Sequence, residues 1–218
     1  MKKLFAACVL SLFAASAWCE PTAKAVWDAN TNTFTFYYDE NTYEGDGITP
    51  YALTTGKAYN TTEAWSSATW KSQVQKVVFD ESFKACKPTN LNNWFSGFSN
   101  LTTIEHLDYL DTTGASYANY MFNACSSLTS LDLSNFNSAN LSFRECFYGC
   151  SNIEVLDLTS FTRIRDTRSM FYGMTKLKTI IVTDQLVIDT TANTDNKEFS
   201  GCSALVGGTG TAYATAKN

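Results

Sequence analysis

The sequence predicts an α/β solenoid, in which short repeats stack turn on turn. A parallel sheet is expected on one face and short helical or irregular segments on the other. Two observations predict this class: a phenylalanine-led segment recurs five times at nearly constant spacing, and short runs of alternating aliphatic residues follow it. A third observation, a strand-like region without the repeat, predicts a small β-containing N-terminal cap.

Each copy of the repeat has a phenylalanine followed six residues later by leucine or isoleucine. A Leu-x-x-Leu-x-Leu pattern comes next, clearest at 128–133 and 153–158, where Leu131 and Leu133 alternate with Asp132 as in a half-buried strand. A period of 24 to 28 residues with this core is the leucine-rich-repeat signature, and we assign residues 74–206 to the solenoid. The leading residues, spaced by 27, 25, 24 and 28, are Phe95, Phe122, Phe147, Phe171 and Phe199.

The position three residues after each leading phenylalanine is expected to be a buried apolar slot. Phenylalanine, cysteine and methionine all occur there, which argues against zinc binding and favours core thiols. The open alternative is a disulfide between Cys125 and Cys150 of neighbouring turns after export. No cofactor or metal is predicted. The residues of the slot are Phe98, Cys125, Cys150, Met174 and Cys202.

Residues 1–19 have the pattern of a secretory signal peptide. Lys2 and Lys3 precede an apolar stretch at 4–17, which ends in a small-x-small cleavage signal at 15–17. A membrane-spanning helix needs about 20 apolar residues, so we expect cleavage and export rather than insertion. The predicted location is secreted or cell-surface.

Residues 20–73 lack the repeat and are expected to cap the solenoid, whose end would otherwise expose an apolar cross-section. The segment 31–39 alternates as a strand, and 41–55 is expected to be a loop. A short helix is expected around Trp65 and Trp70.

The tryptophans of this region leave two interpretations open. Trp27, Trp65 and Trp70 are either part of a buried core or the stacking platforms of an independent carbohydrate-binding module. Burial is the more ordinary use of tryptophan, and it is the interpretation that we adopt.

Composition excludes several functions. The formal charge of −5 becomes −7 without the two leader lysines, and there is no basic run, which argues against nucleic acid and anionic lipid. The single histidine, His106, excludes multi-histidine metal sites. It falls at the strand position of Leu133 and Leu158, so we expect it to face the core or its edge as a structural residue.

Three carboxylates occupy one outward strand position in consecutive repeats. Standing about 4.8 Å apart per turn, they would repel each other, and a cation or basic partner would offset the repulsion. Glu105, Asp132 and Asp157 are therefore the candidate ligand-binding residues, and no catalytic or metal site is predicted. The alternative is a solvated polar face with Lys76 and Lys178 nearby. The full position contains Val78, Glu105, Asp132, Asp157 and Ile181.

An enzyme is not expected. Paired carboxylates serve glycoside hydrolysis only when they flank a substrate at roughly 5 to 9.5 Å inside a cleft. The sheet face of a short solenoid supplies no evident cleft. A secreted glycan hydrolase remains the remote alternative, and turnover lost on Asp132→Asn or Asp157→Asn would revive it.

The sequence of the repeats resembles that of the repeats in BspA-like surface proteins. The resemblance rests on the Met-Phe-Asn-Ala-Cys-Ser-Ser-Leu stretch at 121–128 and the Ser-Met-Phe-Tyr-Gly stretch at 169–173, with weaker matches at 33–39, 77–83 and 201–213. It covers roughly residues 25 to 213. Departures occur at 142–146 and 167–168, where the usual Asn-Val-Thr-Asn-Met stretch is replaced.

The resemblance implies a secreted or surface-attached bacterial protein that interacts rather than catalyses. The implied partner is a host extracellular-matrix protein, a glycan or another cell-surface protein. The second interpretation is a structural or antigenic coat component without a defined ligand. Similar proteins continue past Tyr213, so residues 207–218 are expected to be a C-terminal tail shorter than theirs.

Overall fold

The computed structural model describes residues 3–4, 21–53, 63–189 and 197–206. This part of the chain combines β-sheets with few, short helices, as a mixed α/β class requires. The strands are β1 (Lys3–Leu4), β2 (Thr22–Asp28), β3 (Thr33–Asp39), β4 (Thr42–Tyr43), β5 (Ile48–Ala52), β6 (Lys76–Phe79), β7 (Thr103–Glu105), β8 (Val155–Asp157), β9 (Arg163–Arg165), β10 (Thr179–Ile181) and β11 (Val187–Asp189). The helices are 3₁₀ segments at Ala64–Ser67, Lys71–Gln73, Glu81–Ala85 and Leu107–Tyr109.

The predicted leader and the predicted tail lie largely outside the described residues. Of the predicted leader, residues 1–19, only the backbone at Lys3–Leu4 is described, and it pairs antiparallel with Thr42–Tyr43. The expected tail at 207–218 lies outside the described residues.

Successive repeats are hydrogen-bonded to one another through their phenylalanine turns. The backbone N–H of each of the first four leading phenylalanines donates to a carbonyl of the next repeat at 2.9 to 3.0 Å. The phenylalanine rings lie over one another, with centroids 5.2, 5.8, 6.1 and 5.1 Å apart along the series. One residue type therefore fills one column of the core, and each ring contacts the ring before and the ring after it. The donor and acceptor pairs are Phe95–Met121, Phe122–Cys146, Phe147–Met170 and Phe171–Glu198.

A left-handed residue closes each of these turns. The residue two after the leading phenylalanine has φ between 60° and 81° in every copy, and glycine occupies it in four copies of the five. The exception is Ala124, at φ 60°. Since a left-handed backbone costs an L side chain about 1 kcal/mol or more, the glycines reflect the turn geometry. The position comprises Gly97, Ala124, Gly149, Gly173 and Gly201.

The buried slot three residues after the phenylalanine is occupied as the sequence predicts. Its five side chains are all at most 3% exposed, and its cysteines are free thiols. Each thiol donates to the carbonyl of a leading phenylalanine in the preceding repeat. The contacts are Cys125 Sγ to Phe95 O at 3.2 Å, Cys150 Sγ to Phe122 O at 3.1 Å and Cys202 Sγ to Phe171 O at 2.9 Å.

The strands do not form the single parallel sheet that the sequence predicts. The largest sheet has the order β5-β2-β3-β6-β7, antiparallel at β5-β2-β3 and parallel at β3-β6-β7. Beyond it lie two separate parallel pairs, β8 with β10 and β9 with β11. The segment 131–133 keeps its alternating burial but is not a strand. The expectation of one continuous parallel sheet is therefore wrong.

The repeat that contains β7 has an extra residue just after this strand, near the point where the main sheet ends. Leu107 occupies the buried place that Leu133 and Leu158 hold in later repeats, so the repeat that contains β7 is one residue longer at this point. The extra residue is His106, which has a left-handed φ of 59° and is exposed. The extra residue is exposed while Leu107 takes the buried place, so the inward placement expected for His106 is wrong.

The cap is joined to the repeats by a shared sheet. Strand β3 pairs in parallel with β6 and places Phe34 beside Val77 and Phe36 beside Phe79. The cap therefore presents the first repeat with the kind of edge that a preceding repeat would supply, and the expected strand at 31–39 is confirmed as β3. The expected loop at 41–55 is wrong in part, because it contains β4 and β5.

The tryptophans of the cap are packed into its core. Trp65 is fully buried and donates its Nε1–H to Trp94 O at 2.8 Å. Trp27 is 3% exposed and stacks on half-buried Trp70, with ring centroids 4.8 Å apart. The segment around Trp65 and Trp70 forms two 3₁₀ turns rather than one helix. These contacts favour the core interpretation over exposed carbohydrate-stacking platforms.

Candidate functional site

Glu105, the first of the three candidate carboxylates, forms an ion pair on the main sheet. It ends β7 directly opposite Val78 of β6, as the repeat alignment predicts. Both of its carboxylate oxygens lie 3.3 Å from Lys76 Nζ, and the two side chains are each a little over 40% exposed. Its charge is thus already offset within the chain.

Asp132 and Asp157 stand on equivalent, exposed turns of consecutive repeats. The Oδ1 atom of Asp132 accepts the N–H of Ser134 at 3.0 Å, and that of Asp157 accepts the N–H of Thr159 at 2.9 Å. The backbone bond from Ser134, with a side-chain bond from the same residue, lowers the pKa of Asp132. The backbone and side-chain bonds from Thr159 likewise lower the pKa of Asp157. Both carboxylates are therefore fixed in direction and ionised at neutral pH.

The structure brings two of the three carboxylates together. The negative charge of Asp132 acts to raise the pKa of Asp157, against the stronger effect of its turn, so the two are electrostatic neighbours. Glu105 is not among the groups that shift the pKa of Asp132 or Asp157. No cluster of three or more His, Cys, Asp or Glu side chains suited to a metal ion occurs in the described part of the chain.

The turns that orient these carboxylates have a sequence signal that periodicity alone does not reveal. The signal is Asp-x-Ser/Thr, in which the carboxylate accepts the N–H two residues on. The same contact recurs outside the candidate site, where Asp80 accepts from Ser82 N at 3.0 Å and Asp111 from Thr113 N at 2.9 Å. The hydrogen bond by itself therefore only stabilises a turn. The candidate site differs from the other turns because two exposed aspartates, Asp132 and Asp157, are neighbours there.

The candidate carboxylates border neither of two cavities found among the described residues. One cavity, of about 460 Å³, lies between the cap and the first repeat and is bordered by Tyr38, Leu53, Cys86 and Pro88. Burial raises the pKa of Cys86 to about 11, so its thiol is protonated at neutral pH and is a poor nucleophile. A second cavity, of about 340 Å³, is almost wholly apolar.

His106 lies on the surface beside Tyr109. The two rings are parallel with centroids 4.7 Å apart, and Lys84 Nζ lies 4.0 Å from the centroid of the Tyr109 ring. Asp108, on the same short helix, is exposed. The histidine thus belongs to a stacked surface group and is not buried against the core.

Repeating phenylalanine turns, alternating aliphatic positions and inter-repeat hydrogen bonds define a leucine-rich-repeat protein. More specifically, a family model for the BspA-type leucine-rich repeat region matches six copies across residues 57–206, and the chain belongs to that family. Repeats of this family generally serve protein interaction on surface or secreted proteins rather than catalysis.

Comparison with curated proteins finds no match, and comparison with solved structures finds none either. Among the described residues, no helix has the length and apolar character needed to cross a bilayer.

Proposed function

We propose that this chain is an exported, non-catalytic surface protein that binds a host-matrix protein, a glycan or another cell-surface protein through its exposed carboxylates. The observation that carries the proposal is the pair Asp132 and Asp157, two ionised and oriented neighbours on the exposed face of a BspA-type repeat region. Glu105 extends the row on the other side of the insertion.

The electrostatics of the pair favour a basic ligand group. Two like charges held in fixed directions repel each other, and an approaching cation or a lysine or arginine side chain relieves that repulsion. Because each aspartate is oriented by its own turn, little side-chain entropy is lost when a partner binds. The partner surface that fits is one with a basic group projecting toward the repeats.

The proposal is tested with the purified chain and immobilised fibronectin, fibrinogen and mucin glycans, each with and without calcium. We expect saturable binding that the double substitution Asp132→Asn and Asp157→Asn weakens by about tenfold or more, the equivalent of one charge contact. Asparagine still accepts the turn hydrogen bond, so this change removes charge and keeps the fold. Glu105→Gln should weaken binding less, because Lys76 already neutralises Glu105.

The matched control is Asp111→Asn combined with Glu81→Gln, which removes the same charge elsewhere. Asp111 also accepts a turn N–H, and each residue pairs with a lysine as Glu105 does. Equal loss in control and test variants would contradict a specific site. Binding unchanged in the test variant would move the site to other loops or to the cap. A folded chain that binds none of the probes would favour the coat-component interpretation.

A further inference from the structure

Two pairs of neighbouring parallel strands, β6 with β7 and β8 with β10, present a similar arrangement of side chains on their outward faces. On the first pair, Val78 lies directly beside Glu105. On the second pair, Ile181 lies directly beside Asp157 and is 41% exposed. A carboxylate and a β-branched aliphatic side chain are therefore neighbours on both faces. The order is reversed along the stack, because the carboxylate belongs to the later strand of the first pair and to the earlier strand of the second.

On the first pair, a lysine of the chain completes this arrangement. Lys76 precedes Val78 by two residues on β6 and so projects from the same face. It lies beside Thr103 in the register, and its Nζ reaches diagonally to both carboxylate oxygens of Glu105 at 3.3 Å. The main sheet thus shows which side chain suits a carboxylate with an aliphatic neighbour, namely an ammonium group on a long apolar stem.

On the second pair, a threonine stands where the first pair has its lysine. Thr179 precedes Ile181 by two residues on β10 and is exposed. It is short and uncharged, and the charge that acts on Asp157 is that of a second carboxylate, because Asp132 acts to raise the pKa of Asp157. This face therefore keeps the carboxylate and its aliphatic neighbour, adds a further negative charge, and has a small side chain in the place of the lysine.

A lysine or arginine from a second polypeptide would supply the corresponding cation. Its charged group would pair with Asp157 and relieve the repulsion from Asp132, and its apolar stem would cover Ile181. A metal ion or a neutral sugar would meet the carboxylates without burying Ile181. The aliphatic neighbour therefore favours a basic side chain over either of them.

A second exposed aliphatic side chain extends the same face. Val155 lies beside Thr179 in the register, two residues before Asp157 on β8, and is 50% exposed. An apolar residue next to the basic residue of the partner would cover Val155. We infer that the partner of the aspartate pair is a polypeptide segment that lays a lysine or arginine side chain over Thr179, along Ile181 and toward Asp157. This inference rests on the proposed function and names the partner of the same site.

Two synthetic peptides of equal length and equal lysine content test the apolar part of this inference. Each lysine is followed by leucine in one peptide and by serine in the other, and calorimetric titration of the purified chain measures both affinities. We expect the lysine–leucine peptide to bind about tenfold or more tightly than the lysine–serine peptide. Ile181→Ser should remove most of that preference and leave the affinity for the lysine–serine peptide unchanged.

The matched control for Ile181→Ser is Val187→Ser. Val187 is 56% exposed but lies on β11, beside Arg163, so this change should leave the preference for leucine as it is. Both side chains are already largely exposed, so the folded chain should tolerate their loss, and an unchanged circular dichroism spectrum checks that.

The substitution Thr179→Lys tests the charged part, because it rebuilds on β10 the arrangement that β6 has. The new ammonium group should pair with Asp157 as Lys76 pairs with Glu105 and so occupy the place of the partner. We expect it to weaken binding of the lysine–leucine peptide by about tenfold or more. Thr179→Gln is the control of similar length without the charge, and it should change the affinity by less than about threefold.

Equal affinity for the two peptides overturns the inference, as do binding of neither peptide and binding that Thr179→Lys leaves unchanged. The proposed function is decided separately, by the effect of Asp132→Asn with Asp157→Asn on the matrix probes. If that variant loses matrix binding while the parent chain shows no preference for leucine, the carboxylate site stands and its partner is not a basic polypeptide. A preference for leucine without binding to any matrix probe would support the basic polypeptide and reject the matrix molecules tested.

Discussion

The cap and the repeats bury their aromatic side chains in different ways. In the repeats the leading phenylalanines form one column of nearly parallel rings, each touching one ring above and one below. In the cap, rings converge on Phe36, with Trp94 and Phe79 stacked at 4.8 Å and others edge-on. The repeat core is therefore distributed along the chain, whereas the cap core is concentrated where β3 meets the first repeat.

This difference shows how a repeat region acquires a defined end. A column of rings can be extended by any further copy of the repeat, so the column itself does not determine the number of repeats. The converging cluster ends the column, because its edge-on rings and the antiparallel strands β2 and β5 offer no equivalent surface. The far end has no such cluster among the described residues, and aliphatic side chains are exposed there.

The largest expected effect comes from removing the centre of the cap cluster. Phe36→Ala should lower the free energy of unfolding by about 3 to 5 kcal/mol, since a fully buried ring is lost and a cavity remains. Phe199→Ala, at the open end of the column, should cost about 1 to 2 kcal/mol, because that ring is only half-buried where it stacks on Phe171. Urea denaturation measures both, and equal losses would contradict the contrast between the two regions.

A smaller effect concerns the stability of the cap at acidic pH. Burial alone would raise the pKa of Asp39, but hydrogen bonds from Tyr43, Lys24 and Asn41 outweigh it and lower that pKa. The stabilisation is therefore complete above the ordinary aspartate pKa of about 4 and is lost as the pH falls below it. Asp39→Asn should cost about 1 to 3 kcal/mol at pH 7 and less at pH 3.

Thermal unfolding followed by near-ultraviolet circular dichroism at the two pH values measures this effect, because the cap contains much of the tryptophan. The control is Asp111→Asn in the repeat region, where the exposed pair with Lys87 should contribute less. If the difference in stability between Asp39→Asn and the parent chain grew on acidification, the ionised carboxylate of Asp39 would not be the source of the stabilisation.

The smallest expected effect concerns the turns of the repeats. Ala124→Gly should stabilise the chain by about 0.5 to 1 kcal/mol, since it relieves a left-handed alanine at some cost in unfolded-chain entropy. Gly149→Ala should destabilise by a similar amount, because the added Cβ would meet no atom closer than 3.7 Å and only the backbone geometry resists it. Chemical denaturation of the two variants should give opposite signs, and the same sign in both would refute the argument.

The repeats were predictable because each column keeps one kind of side chain, phenylalanine in one and small or apolar residues in the others, at a nearly constant period. The spacing of Phe95, Phe122 and their successors, with the slot that contains Cys125, indicates both the family and the buried side. The broken sheet was not predictable in the same way. The segment 131–133 has the same apolar alternation as the segment 156–158, yet only the latter overlaps a strand, β8, so the alternation alone does not show where the sheet is interrupted.

The cap and the candidate site were predictable only in part. Strand β3 alternates clearly, but β5 contains Pro50 and so resembles a loop in sequence. The exposure of Asp132 and Asp157 follows from the alternation with Leu131 and Leu158. The ion pair of Glu105 with Lys76 depends on strand register across 29 residues, which local patterns do not encode.

The thiols of the buried slot have a consequence for how such a chain can change length over evolution. Each cysteine of the slot adds a second donor to a phenylalanine carbonyl of the preceding repeat, which already accepts the backbone N–H three residues on in its own repeat. Met174, in the same slot, offers no thiol to Phe147 O, yet that carbonyl accepts the N–H of Cys150 at 3.1 Å. Duplication or deletion of a whole unit therefore leaves these carbonyls bonded through the backbone of their own repeat, and the gene can vary in unit number without an orphaned phenylalanine carbonyl.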